Sequence, residues 1–347
     1  MAKQIVNFVN FIAVLGIVCP VAASETDQRF EFESRHMGTT FRIVVYGKDP
    51  EKASAAAKAA FARVAELDRI LSDYNRESEV MRLCRANDEE PGKPRPVSRD
   101  LFAVLEISQK LAAETDGAFD VTIGPLSQIW RLVRRTQRLP TPEELAAAKA
   151  KVGWKFLTLD PDRQTVTLNT AGMRLDFGGI AKGYAADAAY QILAERGFSR
   201  AMVAASGDIR VGDPPPGSEG WNLEIAPLSQ GMPVRKLTLA RAAVSTSGDL
   251  FQFVEIDGVR YSHVLDPKTG LGLTGFRSVT VVAPTATLSD GLSTAASLLP
   301  REKALQYVEQ YPGASLYMVV KASSAAEPVE TRSARFPNSS DHGGESR

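Results

Sequence analysis

"LDFGGIAKGYAADAA", residues 175–189, decides how the rest of this chain is read. An extended run gives way there to a helical one, with Gly178, Gly179, Lys182 and Gly183 at the change. Phosphate-binding loops that open nucleotide-binding α/β sheets have the same composition. Yet neither G-x-x-x-x-G-K-[ST] nor G-x-G-x-x-G can be drawn through these glycines, so no Walker loop or dinucleotide fingerprint is present. Two readings stay open from spacing alone. The glycines could let a ligand approach the backbone in front of a helix N-terminus. They could equally form a tight strand-to-helix turn packed on a sheet.

The flanks settle the class. Upstream, residues 30–47 alternate as two strands around a turn at Met37-Gly38, and residues 49–71 hold a helical apolar stripe from Ala53 to Leu71. Polar "CRANDEEPGKPRPVS" reads as a loop before a helix over 99–115. "DGAFDVTIGPLSQIWRLV" breaks both periodicities, and "TPEELAAAKAKVG" starts another helix at Pro142. "FLTLDPDRQTVTLN" reads as a hairpin, and residues 184–197 as a helix ended by Gly197. Beyond it strands dominate, followed by helices over 289–299 and 301–311 and a last strand, "SLYMVVK". Helices gather early and strands late, without regular βαβ alternation. The expected class is therefore α+β, mixed sheets packed with helices.

Composition is that of an ordinary globular protein: 347 residues, 44% hydrophobic, with 41 basic side chains against 41 acidic ones. That balance gives no reason to expect nucleic acid as a partner. Residues 1–23 read as a secretory signal peptide: Lys3, a mostly apolar run, Pro20, and small residues before Ser24. An uncleaved membrane anchor is the alternative. An exported, periplasmic location is expected. Residues 24–321 are expected to form the functional domain, and residues 322–347, rich in Ser, Glu and Arg, a disordered tail.

Several further segments hold chemistry-bearing residues. Asp290 and Thr294 are four apart and share one helix face, a hard-oxygen pair of the kind Mg²⁺ accepts beside phosphate oxygens. Helix capping by a Thr287–Asp290 box explains the same residues. His263 follows a strand and precedes a Pro-Lys-Thr-Gly turn, where it could serve as a general base or bond a carbonyl. Asp116 and Asp120 flank an aromatic in a loop, and Tyr74 offers a ring on which a flat ligand could stack. C-x-x-C, H-E-x-x-H, G-x-S-x-G and EF-hand patterns do not occur, which removes the common zinc peptidases, α/β-hydrolases and calcium sensors.

In this order the segments resemble the ApbE family of FAD:protein FMN transferases. The resemblance rests on "MGTTF" at Met37, "LSDYNRESEV" at Leu71, "DGAFDVTIGPL" at Asp116 and "LDFGGIAKGYAAD" at Leu175. It continues through "STSGD" at Ser245, "HVLDPKTG" at His263 and "SDGLSTA" at Ser289. It implies Mg²⁺-dependent transfer of FMN from FAD to a Thr or Ser hydroxyl of an exported or membrane-anchored flavoprotein, releasing AMP. By position, Asp290, Thr294 and the backbone carbonyl of Ala181 would hold the metal. Met37, Tyr74, Ala118, Phe119, Asp120, Gly178, Tyr184 and Leu265 would line the FAD site, and His263 would activate the acceptor hydroxyl. Lys182 adds a positive charge without a definite role. Ser206 stands where the family tends to a glycine, and "STSGDLFQF" lacks the family's tyrosine-rich continuation. Hydrolysis of FAD to FMN and AMP at the same site, or non-catalytic FAD binding, are the alternatives.

Overall fold

A computed structural model describes residues 27–225, 228, 234–248, 252–323 and 325–338; the expected signal peptide lies outside them. The alternating N-terminal residues form an antiparallel hairpin, β1 (Gln28–His36) and β2 (Thr39–Gly47). Its two-residue turn needs left-handed backbone twice, at Met37 (φ 49°) and Gly38 (φ 72°). Helices α1 (Pro50–Leu71) and α2 (Glu79–Glu89) follow, then the short strand β3 (Arg95–Pro96) and α3 (Arg99–Glu114). Next come α4 (Gly124–Thr136), α5 (Pro142–Lys149) and the hairpin β4 (Leu157–Asp160) with β5 (Thr165–Leu168). Helix α6 (Ala181–Glu195) opens the strand-rich half. It leads to β6 (Ala201–Ala205), β7 (Asp208–Val211), β8 (Trp221–Ile225), β9 (Arg235–Leu239) and β10 (Ala242–Gly248). Strands β11 (Phe253–Ile256), β12 (Val259–Leu265), β13 (Gly272–Thr274) and β14 (Phe276–Ala283) precede α7 (Ala286–Ser297) and α8 (Arg301–Glu309). Strands β15 (Ser315–Lys321) and β16 (Val329–Arg332) complete the order.

The frame is an eight-stranded antiparallel sheet, ordered β1-β2-β6-β7-β10-β14-β15-β16. Strand alternation sends Phe41, Ile43 and Val45 of β2 to one face, where they meet Ala53, Ala56, Ala57 and Ala60 of α1 and Ala185 and Ala189 of α6. Small residues on both helices let them lie close to each other and to the sheet. The intervening Val44 points to the other face, covered by Trp221, Leu223 and Leu237 of the β8–β9 hairpin. Helices α2, α3, α7 and α8 share a core with Val279 and Val281 of β14. A satellite core joins Leu126, Trp130 and Val133 of α4 to Val254, Ile256 and Leu265 of the β11–β12–β13 sheet. The α+β expectation holds, with strand pairing between the named strands antiparallel throughout. No helix among the described residues is long and apolar enough to cross a membrane.

Three local expectations are corrected. The polar stretch read as a loop from Cys84 begins inside α2, which Ser78 caps through Met81 N–H and which buries Val80, Leu83, Cys84 and Asn87. That stripe is short and ends in polar residues, so its period is hidden. The segment without periodicity contains α4, started by Pro125 and anchored by Leu126, Trp130 and Val133. The tail after Lys321 is not disordered throughout: β16 pairs with β15, and Phe336 is buried against Tyr317. A single added edge strand carries too few apolar residues to announce itself.

Candidate active site

The glycine-rich loop leads into α6, whose first turn is pressed against α7. A Cβ added at Gly183 would lie 2.2 Å from the Ala286 carbonyl oxygen and 2.8 Å from Asp290 Cβ. One added at Gly179 would lie 2.7 Å from Thr294 Cγ2 and 2.9 Å from its Oγ1. Gly183 thus lets the first turn of α6 approach α7, and Gly179 lets the loop before α6 do the same. Gly178 alone of the three faces solvent, where a Cβ would meet only Asp176 Oδ1, at 3.1 Å. The close approach has an electrostatic consequence: the Gly183 N–H, one of the free donors at the start of α6, donates to Asp290 Oδ2 at 3.0 Å.

Helix α7 is not capped by Thr287 and Asp290. Thr285 is its cap, accepting from Leu288 N–H, and Asp290 is a full turn further in. Asp187 of α6 reinforces that start, accepting from Ala286 N–H (2.9 Å), Thr287 N–H (2.8 Å) and Thr287 Oγ1–H (2.6 Å). Asp290 is thereby left free of capping duty, buried, and on the same face as Thr294. Sheet β10 touches this helix through Ser245 Oγ, 2.8 Å from Ser289 Oγ. Asp249, the last residue of the STSGD block, lies outside the described residues.

Lys182 turns inward rather than towards bulk solvent. Its Nζ is 2.8 Å from Asp208 Oδ2 and 3.6 Å from Asp290 Oδ2. Asp208 comes from the β6–β7 hairpin, where Ser206 takes left-handed backbone (φ 58°), the conformation that favours glycine at this position. Burial works against the Lys182 ammonium, but the two carboxylates outweigh it and hold its pKa above the lysine norm. Burial and then the Asp208 charge push Asp290 up to about 7, against the opposing pull of Lys182 and the Gly183 N–H. Two buried carboxylates share one ammonium, leaving this group short of positive charge. A divalent cation fits that deficit, and the Asp290 and Thr294 oxygens are hard donors of the type Mg²⁺ prefers. Among the described residues there is no cluster of three or more His, Cys, Asp or Glu able to hold a metal unaided. A carboxylate and a hydroxyl would fill only part of the coordination shell of such an ion.

His263 lies on β12. Its Nδ1 is 3.1 Å from the Gln252 carbonyl oxygen, which can only accept, so Nδ1 carries the proton and Nε2 the lone pair. Burial, opposed by that carbonyl and assisted by the charges of Lys182 and Arg134, lowers its pKa below 6.5. That shift favours the neutral ring, the form a proton acceptor needs.

The remaining sequence candidates fall around the loop in different ways. Met37 N–H donates to Asp68 Oδ2 at 3.0 Å, tying the first hairpin to the end of α1. The loop after α3 buries Ala118 and Phe119 and crosses the glycine loop through Asp176 N–H to Val121 O, 2.8 Å. Both oxygens of Asp120 are engaged within the protein, by Thr122 N–H and Oγ1–H and by Trp154 N–H. Tyr184 O–H donates to Asp100 Oδ1 at 2.9 Å, and burial beside that carboxylate pushes its pKa up to about 12. Leu265, two residues on from His263 along β12, belongs to the satellite core. Tyr74 is 76% exposed, yet Arg131 Cζ lies 3.9 Å from its ring centroid. Sequence reasoning missed Arg131, Asp176, Asp187 and Asp208. Apart from Gly178, two residues from Asp176, their partners are distant in the chain, so no spacing rule points to them.

Comparisons with known proteins bear on the family and the fold. The ApbE family model matches residues 37–318. An FAD:protein FMN transferase of Klebsiella pneumoniae (strain 342) is 33% identical over 306 residues, covering 86% of each chain. One from Treponema pallidum (strain Nichols) is 31% identical over 346 residues, covering 92% of this chain and 95% of its own. The flavin transferase ApbE of Vibrio cholerae superposes with a TM-score of 0.79 at 28% identity, covering 89% of this chain and 98% of that one. The apo flavinyl transferase ApbE of Pseudomonas stutzeri gives 0.77 at 30% identity, over 89% of this chain and 96% of that one. The family match spans the sheet from β2 to most of β15, both helices of the α6–α7 junction and the strand carrying His263, and the chain belongs to the ApbE family.

Proposed function

We propose that this chain is an FAD:protein FMN transferase that uses Mg²⁺ to move FMN from FAD onto a Thr or Ser hydroxyl of a partner flavoprotein, releasing AMP. The observation that carries the reading is the buried Asp290 carboxylate, seated on the Gly183 N–H with Thr294 one turn on and one ammonium for two carboxylates. Asp290, Thr294 and the Ala181 carbonyl would hold the metal, which supplies positive charge to the pyrophosphate oxygens. Met37, Tyr74, Ala118, Phe119, Asp120, Gly178, Tyr184 and Leu265 would surround FAD, Asp120 through its backbone because its carboxylate is occupied.

The hydroxyl oxygen of the acceptor attacks the phosphorus on the FMN side of the pyrophosphate. A new O–P bond forms, the bond from that phosphorus to the bridging oxygen breaks, and the bridging oxygen leaves with AMP. The hydroxyl proton passes to Nε2 of neutral His263. Lys182, held by Asp208, keeps a fixed positive charge beside the region where negative charge builds. The apolar N-terminal run with its small-residue cleavage site supports export, so the acceptor would be an exported or membrane-anchored flavoprotein.

The test incubates the chain with FAD, Mg²⁺ and a candidate flavoprotein domain, and follows AMP by chromatography and the acceptor by mass. AMP with a flavinylated acceptor is expected. AMP without modification of any of several acceptors would indicate FAD hydrolysis instead, and no AMP would leave FAD binding alone.

A further inference from the structure

An aromatic side chain as exposed as Tyr74 ordinarily samples several rotamers. This one is held. Arg131 of α4 lays its guanidinium 3.9 Å from the ring centroid and covers one face. The guanidinium is fixed in turn by an ion pair with Asp73, the neighbour of Tyr74, and lies 3.7 Å from Asp176 Oδ2. Asp176 uses its other oxygen, Oδ1, to accept from the exposed Gly178 N–H at 2.8 Å. The order of contact is therefore ring, guanidinium, two carboxylates, glycine loop. Arg131 itself sits on a helix packed closely at its start: a Cβ at Gly124, in its first turn, would lie 2.5 Å from the Arg174 carbonyl oxygen.

From this arrangement we infer that Arg131 is a positioning residue: it clamps the inner face of Tyr74 so that the outer face stands ready as a stacking platform for the flavin ring of FAD. The inference rests on the functional reading above and adds to it a side chain that no part of the sequence pattern singled out. An unclamped tyrosine would have to be ordered when the flavin binds, a cost the apo protein meets in advance. A cation on the covered face also fixes ring orientation by attraction to the π-system. The platform serves the flavin end alone. The Asp176–Gly178 bond uses a different carboxylate oxygen from the one facing Arg131, so that bond does not run through the guanidinium.

The test is a double-mutant cycle on FAD and ADP binding, with Tyr74→Ala, Arg131→Ala and the pair, and with Arg131→Lys as the conservative variant. Arg131→Ala should weaken FAD binding roughly tenfold, from lost preorganisation and lost cation–π attraction, while ADP binding stays within about twofold. In the Tyr74→Ala background the Arg131 change should have almost no further effect on FAD. Arg131→Lys should recover only part of the loss, since an ammonium keeps the ion pairs but not the flat contact. Turnover should show the change in KM for FAD with kcat nearly unaltered. Additive losses, or equal weakening of ADP, would overturn the inference and make Arg131 a general scaffold residue. Wild-type protein that fails to bind FAD at all would instead overturn the functional reading.

Discussion

Replacing Gly183 by alanine puts the α6–α7 junction to its hardest trial. In an exposed helix the change would gain about 1 kcal/mol, because alanine is the better helix former. Here the new Cβ stands 2.2 Å from the Ala286 carbonyl oxygen and 2.8 Å from Asp290 Cβ. Carbon–oxygen contacts settle at about 3.3–3.6 Å, so α6 must retreat from α7 by about 1 Å. That retreat stretches the 3.0 Å bond from Gly183 N–H to Asp290, and a hydrogen bond to a charged group contributes about 1.5–3 kcal/mol. Overpacking adds about 1–3 kcal/mol. After subtracting the helix gain, the expected loss is about 1.5–5 kcal/mol. A displacement of about 1 Å at Asp290 should also reduce turnover on the order of 100-fold. Urea unfolding reads the first quantity and steady-state AMP release from FAD the second. Gly178→Ala is the control, since its Cβ would meet only one carboxylate oxygen. It should leave stability within about 0.5 kcal/mol and raise KM for FAD. A Gly183→Ala protein with the wild-type midpoint and wild-type turnover would refute the claim that this glycine sets the position of Asp290.

At saturating Mg²⁺, the pH profile of transfer should carry an acid limb set by His263, whose pKa burial lowers below 6.5. Protonated imidazole accepts nothing, so the rate falls as pH drops through that lowered value and is flat through neutrality; His263→Ala should remove the limb, and a limb centred above 6.5 would contradict the assignment. Metal affinity should behave oppositely in range. Because burial and Asp208 push Asp290 up to about 7, a proton competes with the cation below that pH, and calorimetric Mg²⁺ titrations should weaken roughly tenfold per pH unit there; equal affinity at pH 6 and pH 8 would remove Asp290 from the ligand set. Phe336→Ala should cost about 3 kcal/mol despite lying beyond the family match, because the ring is buried against Tyr317. A neutral effect in urea unfolding would mean that the segment beyond Lys321 adds nothing to the fold.

Local pattern alone determined much of this protein. The Met37-Gly38 turn, the alanine stripe of α1, the Pro142 helix start and the late strands follow from periodicity and turn chemistry, which act between near neighbours. The pairing of Asp290 with Thr294 was legible too, because four residues on a helix always share a face. Tertiary structure decided what those residues are for. Gly183 meets Asp290 across 107 positions of chain, and nothing local says that a glycine there serves a helix crossing rather than a ligand. The same holds for Lys182, whose meaning depends on Asp208 from another hairpin, and for Arg131, which reaches back to Asp73 and Tyr74. Asp120 shows the reverse: a carboxylate that looks available in sequence is consumed by Thr122 and Trp154 once the chain folds. Periodicity governs which face of an element is buried. Charge pairing and close approach depend on which faces meet, and that is settled only when the sheet brings α6, α7 and β7 together.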